Sequence, residues 1–211
     1  MTFPHRTASL SVAGKKPLVG VLALQGDVRE HEQTLLELGV ETVQVRTIEQ
    51  LDAIDALVLP GGESSVIDKL TRIFGLRDRI VERIRDGLPV LGTCAGLILL
   101  ADTITGGLGD QETFGGLAVT VERNAFGSQV DSFETTIEMP SIGGDPIASS
   151  FIRAPIVRDA GSADVIATLP TGEIVGVRQG NLVGISFHPE VSNETRVHDW
   201  WLRTVVAPTL R

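Results

Sequence analysis

Residues 88–100 are Leu88-Pro-Val-Leu-Gly-Thr-Cys94-Ala-Gly-Leu-Ile-Leu-Leu100, in which Gly-x-Cys-x-Gly separates two apolar runs. The first run is typical of a buried strand and the second of a buried helix, so Cys94 is expected on the sharp turn between them. Such a turn is a nucleophile elbow, with a strained backbone at its apex. Gly92 and Gly96 agree with this interpretation, since a Cβ on either flank would collide with the neighbouring strand or helix.

The expected position of Cys94 also bears on its reactivity. At the N-terminus of a helix, unpaired N–H groups and the helix dipole favour a thiolate over the ordinary thiol. The alternative is a buried structural cysteine beside two helix-packing glycines, which the five-residue pattern alone leaves open.

The composition is that of an ordinary globular protein. The chain has 211 residues, of which 42% are hydrophobic and 21% are charged. Its net charge of −9 argues against nucleic acid as the main partner, because proteins that bind nucleic acid usually carry a basic face. The single cysteine cannot form an internal disulfide, so we expect a reducing, cytoplasmic location. No apolar run reaches the roughly 18 residues of a membrane-spanning helix, so no membrane partner is expected.

Residues 1–16 differ from the rest of the chain. They include Arg6, Lys15 and Lys16 but no acidic residue, and they lack the apolar segment of a secretory signal. We expect a flexible extension over residues 1–16 and one domain over residues 17–211.

The segments ahead of the elbow alternate between strand and helix. Strands are predicted at 18–24, 42–46 and 56–59, with Asp27 capping the helix after the first strand and Gly39 ending it. This alternation is typical of a doubly wound α/β sheet, in which ligands bind beyond the carboxyl ends of the strands. The loops at Gln25, at 61–64 and at Cys94 are therefore expected to meet in one crevice.

Beyond Gly106 the pattern changes to short extended segments, some of which are expected to be antiparallel. A final helix is predicted from about Glu194, and its two tryptophans are assigned to packing. The predicted fold class is α/β, with a doubly wound, mixed but mostly parallel sheet flanked by helices. The predicted later strands are 117–121, 133–139, 151–157, 165–169, 173–177 and 182–187.

A cysteine nucleophile needs a base, and the base needs an acceptor that holds its ring in one tautomer. Of the four histidines, His188 alone is expected at the end of an inner strand with an acidic residue two positions later. In an extended segment, residues i and i+2 point to the same side, so Glu190 can reach the imidazole that His188 presents to Cys94. By itself, His-Pro-Glu is more often a surface turn.

The pairing of Gly92-Thr-Cys94-Ala-Gly96 with Phe187-His188-Pro-Glu190 resembles that of the triad-type, class I glutamine amidotransferases. Within that flavodoxin-like family the chain is similar, from about Leu18 to Val206, to the glutaminase subunits of pyridoxal 5'-phosphate synthases. The segments that carry this closer similarity are 24–31, 59–65, 121–133 and 151–155, of which Arg123 to Phe133 is the most specific.

The resemblance implies hydrolysis of L-glutamine to glutamate and ammonia. It also implies a hetero-oligomer in which ammonia passes to a synthase subunit that makes the vitamin B6 cofactor, and it calls for no cofactor or metal. Cys94 would be the nucleophile, His188 the acid and base, and Glu190 the group that orients His188. The oxyanion donors would be the backbone N–H groups of Gly62 and Ala95.

The resemblance further implies where glutamine binds. Arg123 and Arg153 are the candidates for its α-carboxylate, because a guanidinium binds a carboxylate well. Without the resemblance, each arginine is equally well explained as a surface charge or an ion pair. The other implied contacts are Ile152 and the loop of Gly62, Glu63 and Ser64. Glu63 and Ser64 also suit helix capping, and Gln25 suits either support of the glycine loop or contact with the partner.

Three alternatives remain at this stage. One is a class I amidotransferase subunit that feeds a different acceptor, and another is a cysteine peptidase or thiol stress protein on a similar sheet. The third is a non-catalytic subunit that keeps the fold.

Overall fold

The structure, a computed structural model, describes residues 16–107, 111–123, 133–151, 154–192 and 194–210. The strands in these ranges are Leu18–Leu22 (β1), Glu41–Val45 (β2), Ala56–Leu59 (β3), Val90–Thr93 (β4), Ala101–Thr105 (β5), Leu117–Glu122 (β6), Phe133–Ile137 (β7), Ile147–Phe151 (β8), Ile156–Asp159 (β9), Asp164–Thr168 (β10), Ile174–Gln179 (β11) and Leu182–Ile185 (β12). The helices are Val28–Glu37 (α1), Ile48–Ala53 (α2), Ser64–Ile73 (α3), Arg77–Arg85 (α4), Ala95–Leu100 (α5) and Arg196–Trp201 (α6).

The large sheet has the strand order β2-β1-β3-β4-β12-β11-β9-β6-β5, and β10 pairs with β11. Strands β2, β1, β3, β4 and β12 are parallel to one another, whereas β11 is antiparallel to both β12 and β9. The innermost strands are continuous apolar runs because helices cover both of their faces. The prediction of a mixed, mostly parallel sheet is confirmed.

Successive residues of the inner strands point into two separate cores. In β3, Val58 belongs to the core that also contains Leu35 of α1 and Trp201 of α6. Its neighbour Leu57 belongs to the other core, with Ile67 of α3. This alternation places helices on both sides of the sheet, as the doubly wound interpretation requires. Trp201 is fully buried, which agrees with a packing role.

Two strand predictions need correction. The prediction of one strand over 151–157 is wrong, because this range holds only the last residue of β8, Phe151, and the first two residues of β9, which begins after Pro155; the rest of β8 was not predicted. Proline lacks the N–H group that a ladder needs, so it separates strands rather than continuing one. Strand β5 was not predicted, because it follows α5 directly without a turn residue between them. Among the described residues, no helix is both long enough and apolar enough to cross a bilayer.

The elbow is built by a close approach of α5 to β3 and β4. A Cβ on Gly96 would lie 2.3 Å from the carbonyl oxygen of Leu59, and a Cβ on Gly92 would lie 2.6 Å from the carbonyl carbon of Gly96. Both distances are below any real van der Waals contact, and the atoms met are backbone atoms that side-chain rotation cannot move. The two glycines are therefore required by packing, as the sequence predicts.

We expect Gly96→Ala to destabilise the protein strongly. Overpacking in a rigid core typically costs ~1–3 kcal/mol, and a backbone clash belongs at the upper end of that range. The control is Gly180→Ala, where no atom lies within 4 Å of the added Cβ and the φ of +57° costs about 1 kcal/mol. Urea unfolding of both variants measures the difference, and an equal loss in the two would contradict the packing role of Gly96.

Candidate functional site

Loops that follow β1, β3, β4 and β12 meet at one end of the sheet. Gly61 lies against the ring of His188, since a Cβ on Gly61 would come within 2.1 Å of His188 Cε1. The N–H of Asp27 donates a hydrogen bond to the Gly61 carbonyl at 3.2 Å. The Cys94 N–H donates to the Ile185 carbonyl at 2.8 Å, which ties the elbow to the strand that leads to His188. The convergence expected at the carboxyl ends of the strands is therefore present.

Cys94 occupies the apex of the elbow, between β4 and α5. Its φ is +46°, and no other non-glycine residue in the described ranges has a positive φ. Its side chain is mostly buried, with 8% of the residue exposed. A strained backbone at the start of a helix is the geometry that presents a nucleophile to a pocket.

His188 is held on three sides. Its Nδ1 lies 2.9 Å from Glu190 Oε1 and 3.3 Å from Asp27 Oδ2, and Cys94 is a third group close enough to act on the charge of the ring. Burial by itself lowers the pKa of His188, but the hydrogen bonds to Asp27, Cys94 and Glu190, with the negative charge of Cys94, raise this pKa to about 12. The site therefore favours an imidazolium that faces the sulfur and two carboxylates.

Glu190 lies behind His188, away from solvent. Its side chain is fully buried, and burial is the main reason why its pKa is raised from the ordinary value. The hydrogen bond and the charge of His188 act in the opposite direction, because they stabilise the carboxylate. Glu190 and His188 are two residues apart and on the same side of the backbone, as the sequence predicts.

Asp27 is not the side-chain cap that the sequence predicts. It stands at the N-cap position of α1, yet its side chain makes no capping hydrogen bond. The carboxylate turns instead toward Nδ1 of His188, where it becomes the second negative group at this nitrogen. Sequence reasoning missed this contact, because a capping aspartate and an active-site aspartate look alike after a strand.

Gln25 supports the glycine loop that follows β3, residues 61–64. The N–H of Glu63 donates to Gln25 Oε1 at 2.8 Å, so Gln25 does support this loop. Gly62 has φ +151°, and a Cβ there would lie 2.5 Å from Gln25 Oε1. Ala95, the other predicted oxyanion donor, is fully buried in the first turn of α5, where N–H groups lack helical partners.

Glu63 and Arg123 form an ion pair at the edge of the site. Arg123 Nη2 lies 2.7 Å from Glu63 Oε1, and Nη1 donates to Gln111 Oε1 at 2.7 Å. Gln111 Nε2 in turn donates to the Ser64 hydroxyl at 3.0 Å, so the three predicted residues belong to one network. Glu63 also accepts from the Ser65 N–H as the N-cap of α3. Gln111 was missed by sequence analysis, since no local pattern marks it.

Some predicted features lie outside the described residues. These are Ile152, Arg153, most of the 121–133 segment and the N-terminal residues 1–15.

The charged cluster also has the dimensions of a metal site, since Asp27, His188 and Glu190 each offer a ligand atom within 4.8 Å of the others. A proton on Nδ1, which the raised pKa of His188 favours, takes the position that a metal ion would need at that nitrogen. The arrangement is therefore better suited to proton transfer than to metal binding.

The sequence of this chain matches a family profile, that of the SNO glutamine amidotransferases, over residues 21–207. The chain belongs to the SNO glutamine amidotransferase family. Its curated relatives include the pyridoxal 5'-phosphate synthase subunit PdxT of Leifsonia xyli, 54% identical over 88% of this chain and 94% of the relative. The subunit of the same name from Nocardia farcinica is 48% identical over 95% of this chain and 91% of the relative.

Solved structures agree with this assignment of the family. A crystal structure of a glutamine amidotransferase superposes with a TM-score of 0.82 at 45% identity and covers 90% of this chain and 98% of its own. PurLQS from Thermotoga maritima has a TM-score of 0.68 at 18% identity, with 90% and 99% covered, which shows a shared fold. The family expected from the Cys94 and His188 motifs is confirmed.

In this amidotransferase, Asp27→Asn should lower the pKa of His188, because the substitution removes one of the two carboxylates that face Nδ1. The pKa is measured by NMR titration of the ¹⁵N-labelled imidazole. The control is Asp52→Asn, which removes a carboxylate that pairs with Arg79 and has no contact with His188 in the described structure. An unchanged pKa in the Asp27 variant would mean that Glu190 and Cys94 alone determine the protonation of His188.

Proposed function

We propose that this chain hydrolyses L-glutamine to L-glutamate and ammonia, and that it supplies the ammonia to a synthase subunit that forms pyridoxal 5'-phosphate. The observation that carries the proposal is the cysteine at a strained elbow beside a histidine that is hydrogen-bonded to a buried glutamate. The specific pathway is supported by the names of relatives that are about half identical over nearly their whole length.

The proposed reaction begins with attack of the Cys94 sulfur on the side-chain amide carbon of glutamine. His188 then gives its proton to the departing nitrogen, so that ammonia leaves and a thioester remains. In the second half, His188 takes a proton from water, the resulting hydroxide displaces the sulfur, and glutamate is released. Glu190 keeps the imidazole in one tautomer and stabilises its charged form.

Each tetrahedral intermediate carries an oxyanion, for which we propose the N–H groups of Ala95 and Gly62. Removal of one such donor typically costs about 3 kcal/mol of transition-state stabilisation. Glycine accepts both signs of φ, so no side chain at 61 or 62 opposes rotation of the peptide between them, although the hydrogen bond from the Asp27 N–H to the Gly61 carbonyl must break. We propose that docking of the synthase subunit orients this peptide, which would limit glutamine hydrolysis by the isolated subunit.

The ion pair of Glu63 and Arg123 supports the substrate-binding proposal. Free glutamine carries an ammonium and a carboxylate on its α-carbon. Glu63 has the charge to bind the ammonium, and Arg123 has the charge to bind the carboxylate. Ser64 is linked to Arg123 through Gln111 and helps to hold the guanidinium in place. Gly62, Ile152 and Arg153 complete the proposed glutamine site.

The reaction also sets conditions on the surroundings of the protein. The thiol of Cys94 must stay reduced, so we propose a cytoplasmic location and an assembly with the synthase subunit. The alternative of a cysteine peptidase has no support in the family match, because the matching family is one of amidotransferases.

Cys94→Ala should abolish glutamate and ammonia release, with a loss of at least ~10³-fold in kcat, because triad members act as a unit. Glutamate formation is measured enzymatically with and without the synthase subunit from the same organism. Asp52→Asn, which lies outside the site, should keep the wild-type rate. Unchanged turnover in the Cys94 variant would exclude the triad, and equal wild-type rates with and without the partner would exclude activation by docking.

Arg123→Met should raise the KM for glutamine ~10-fold to ~100-fold with a smaller effect on kcat, because a charged hydrogen bond to bound substrate is worth ~1.5–3 kcal/mol. The control is Arg158→Met, which breaks an arginine–glutamate pair with Glu122 that is more exposed than the pair of Arg123. Steady-state kinetics separates the two effects. A KM equal to that of the wild type would mean that Arg123 does not bind glutamine and only supports the start of α3 through its ion pair with Glu63.

A further inference from the structure

Two fully buried histidines lie near Glu190, one in contact with it and the other in contact with the first. His31 lies on α1 and His198 on α6, and neither is exposed to solvent. His31 Nδ1 lies 2.9 Å from His198 Nε2. The other nitrogen of His31, Nε2, lies 3.1 Å from Thr93 Oγ1 and 3.4 Å from Glu190 Oε1. Neither histidine has a part in the proposed reaction.

The contacts select one arrangement of protons. A carboxylate attracts an N–H and repels a lone pair, so the His31 Nε2, which lies beside Glu190 and hydrogen-bonds with Thr93, carries the hydrogen. The Nδ1 of a neutral His31 is then an acceptor, and His198 Nε2–H donates to it. His198 Nδ1 is left without a hydrogen, which fits its lack of a hydrogen-bond partner among the described residues. The opposite arrangement would bury a His198 N–H without an acceptor and point a lone pair of His31 at the carboxylate.

Both rings are kept neutral by their surroundings. Burial, then His198 and His188, lower the pKa of His31 well below its ordinary value, and burial lowers the pKa of His198 to about 4. The Nε2–H of a neutral His31 donates to Thr93 Oγ1 and lies beside Glu190 without bringing in a second positive charge that would compete with His188. It therefore supports the carboxylate and leaves its interaction with the catalytic imidazole intact.

Glu190 needs such support, because a fully buried carboxylate is unstable unless donors compensate for its lost hydration. Its Oε1 faces the Nδ1 of His188 at 2.9 Å and the Nε2 of His31 at 3.4 Å. Its Oε2 has no hydrogen-bond partner in the described part of the chain. Among the described contacts of Glu190, the one with His31 is made by a residue of α1. His31 also touches Thr93, the residue immediately before Cys94.

We propose that His31 is a positioning residue for the hydrolysis of glutamine: its Nε2–H hydrogen-bonds with Thr93 and lies beside the carboxylate of Glu190, so that it fixes the positions of both, while His198 fixes its tautomer. This inference rests on the proposed function. His31 acts through Glu190, which orients His188, and through Thr93, which carries the nucleophile. It touches neither substrate nor the reacting atoms.

The first test compares His31→Leu with His31→Gln in the complex with the synthase subunit. Leucine removes the donor, and we expect kcat to fall about ten-fold or more with little change in the KM for glutamine, because a misplaced catalytic group slows chemistry rather than binding. Glutamine places an amide N–H near the position of Nε2, so it should recover most of the lost kcat. Equal kcat for His31→Leu and the wild type would overturn the proposal, as would a glutamine variant no better than leucine.

The second test separates positioning from general damage to the core. In a Glu190→Gln background, His31→Leu should lower kcat less than about two-fold, because the group through which His31 acts is already altered. A loss of the same size in both backgrounds would show a purely structural effect and refute the inference. Leu35→Ala, at another fully buried position of α1, is the control that should lower Tm while the kcat measured below that Tm stays unchanged.

The third test needs no activity and does not depend on the stability of a variant. In the ¹⁵N-histidine-labelled wild-type protein, NMR should show His31 neutral, with its hydrogen on Nε2. A hydrogen on Nδ1 would overturn the proposal. Failure of the proposed function is a different result: the wild-type complex would then release no glutamate from glutamine, whatever the tautomer of His31.

Discussion

The site depends on one steric constraint, which is the distance at which α5 crosses β3 and β4. At this crossing the backbone atoms of Leu59 and Gly96 leave no room for a Cβ, and the chain turns through Cys94 with φ +46°. The turn fixes where the sulfur lies and directs the first N–H groups of α5 toward it. Because the constraint lies in backbone packing, the position of the nucleophile does not depend on a flexible side chain.

Electrostatics then determines the state of the residues that surround the sulfur. His188 lies between Cys94 on one side and two carboxylates, Asp27 and Glu190, on the other. Of the two carboxylates, Glu190 is fully buried, whereas Asp27 is about one-third exposed. Solvent screens the exposed group more, so Glu190 is the stronger partner and Asp27 adds a weaker attraction for the same proton.

The features of the fold and the site that could be predicted are those whose sequence pattern is confined to a few neighbouring residues. The elbow, the inner parallel strands and the pair of His188 and Glu190 follow from short patterns, because their chemistry lies within a few consecutive residues. Asp27, His31 and Gln111 could not be assigned in this way. Each has a contact with a residue far away along the chain, for example 47 residues between Gln111 and Ser64 and 167 between His31 and His198, and no periodicity marks such a contact.

The same distinction explains the errors in the fold. Strand β5 was missed because it follows α5 directly with no turn residue to mark the change, and the single strand predicted over 151–157 ignored Pro155. In both places the boundary is set by the sheet, in which β5 pairs with β6 and β9 pairs with both β6 and β11. Strand pairing of this kind is decided by distant residues and overrides the local preference.

The beginning of α1 joins parts of the site that the sequence keeps far apart. The Asp27 N–H donates to the Gly61 carbonyl, the Asp27 carboxylate faces His188, and His31 one turn later reaches Glu190. The Gly61 carbonyl belongs to the same peptide as the Gly62 N–H, so any rotation that redirects this N–H must break the hydrogen bond from Asp27. Formation of the proposed oxyanion site and the surroundings of the His188 imidazole are therefore mechanically linked through a single helix terminus.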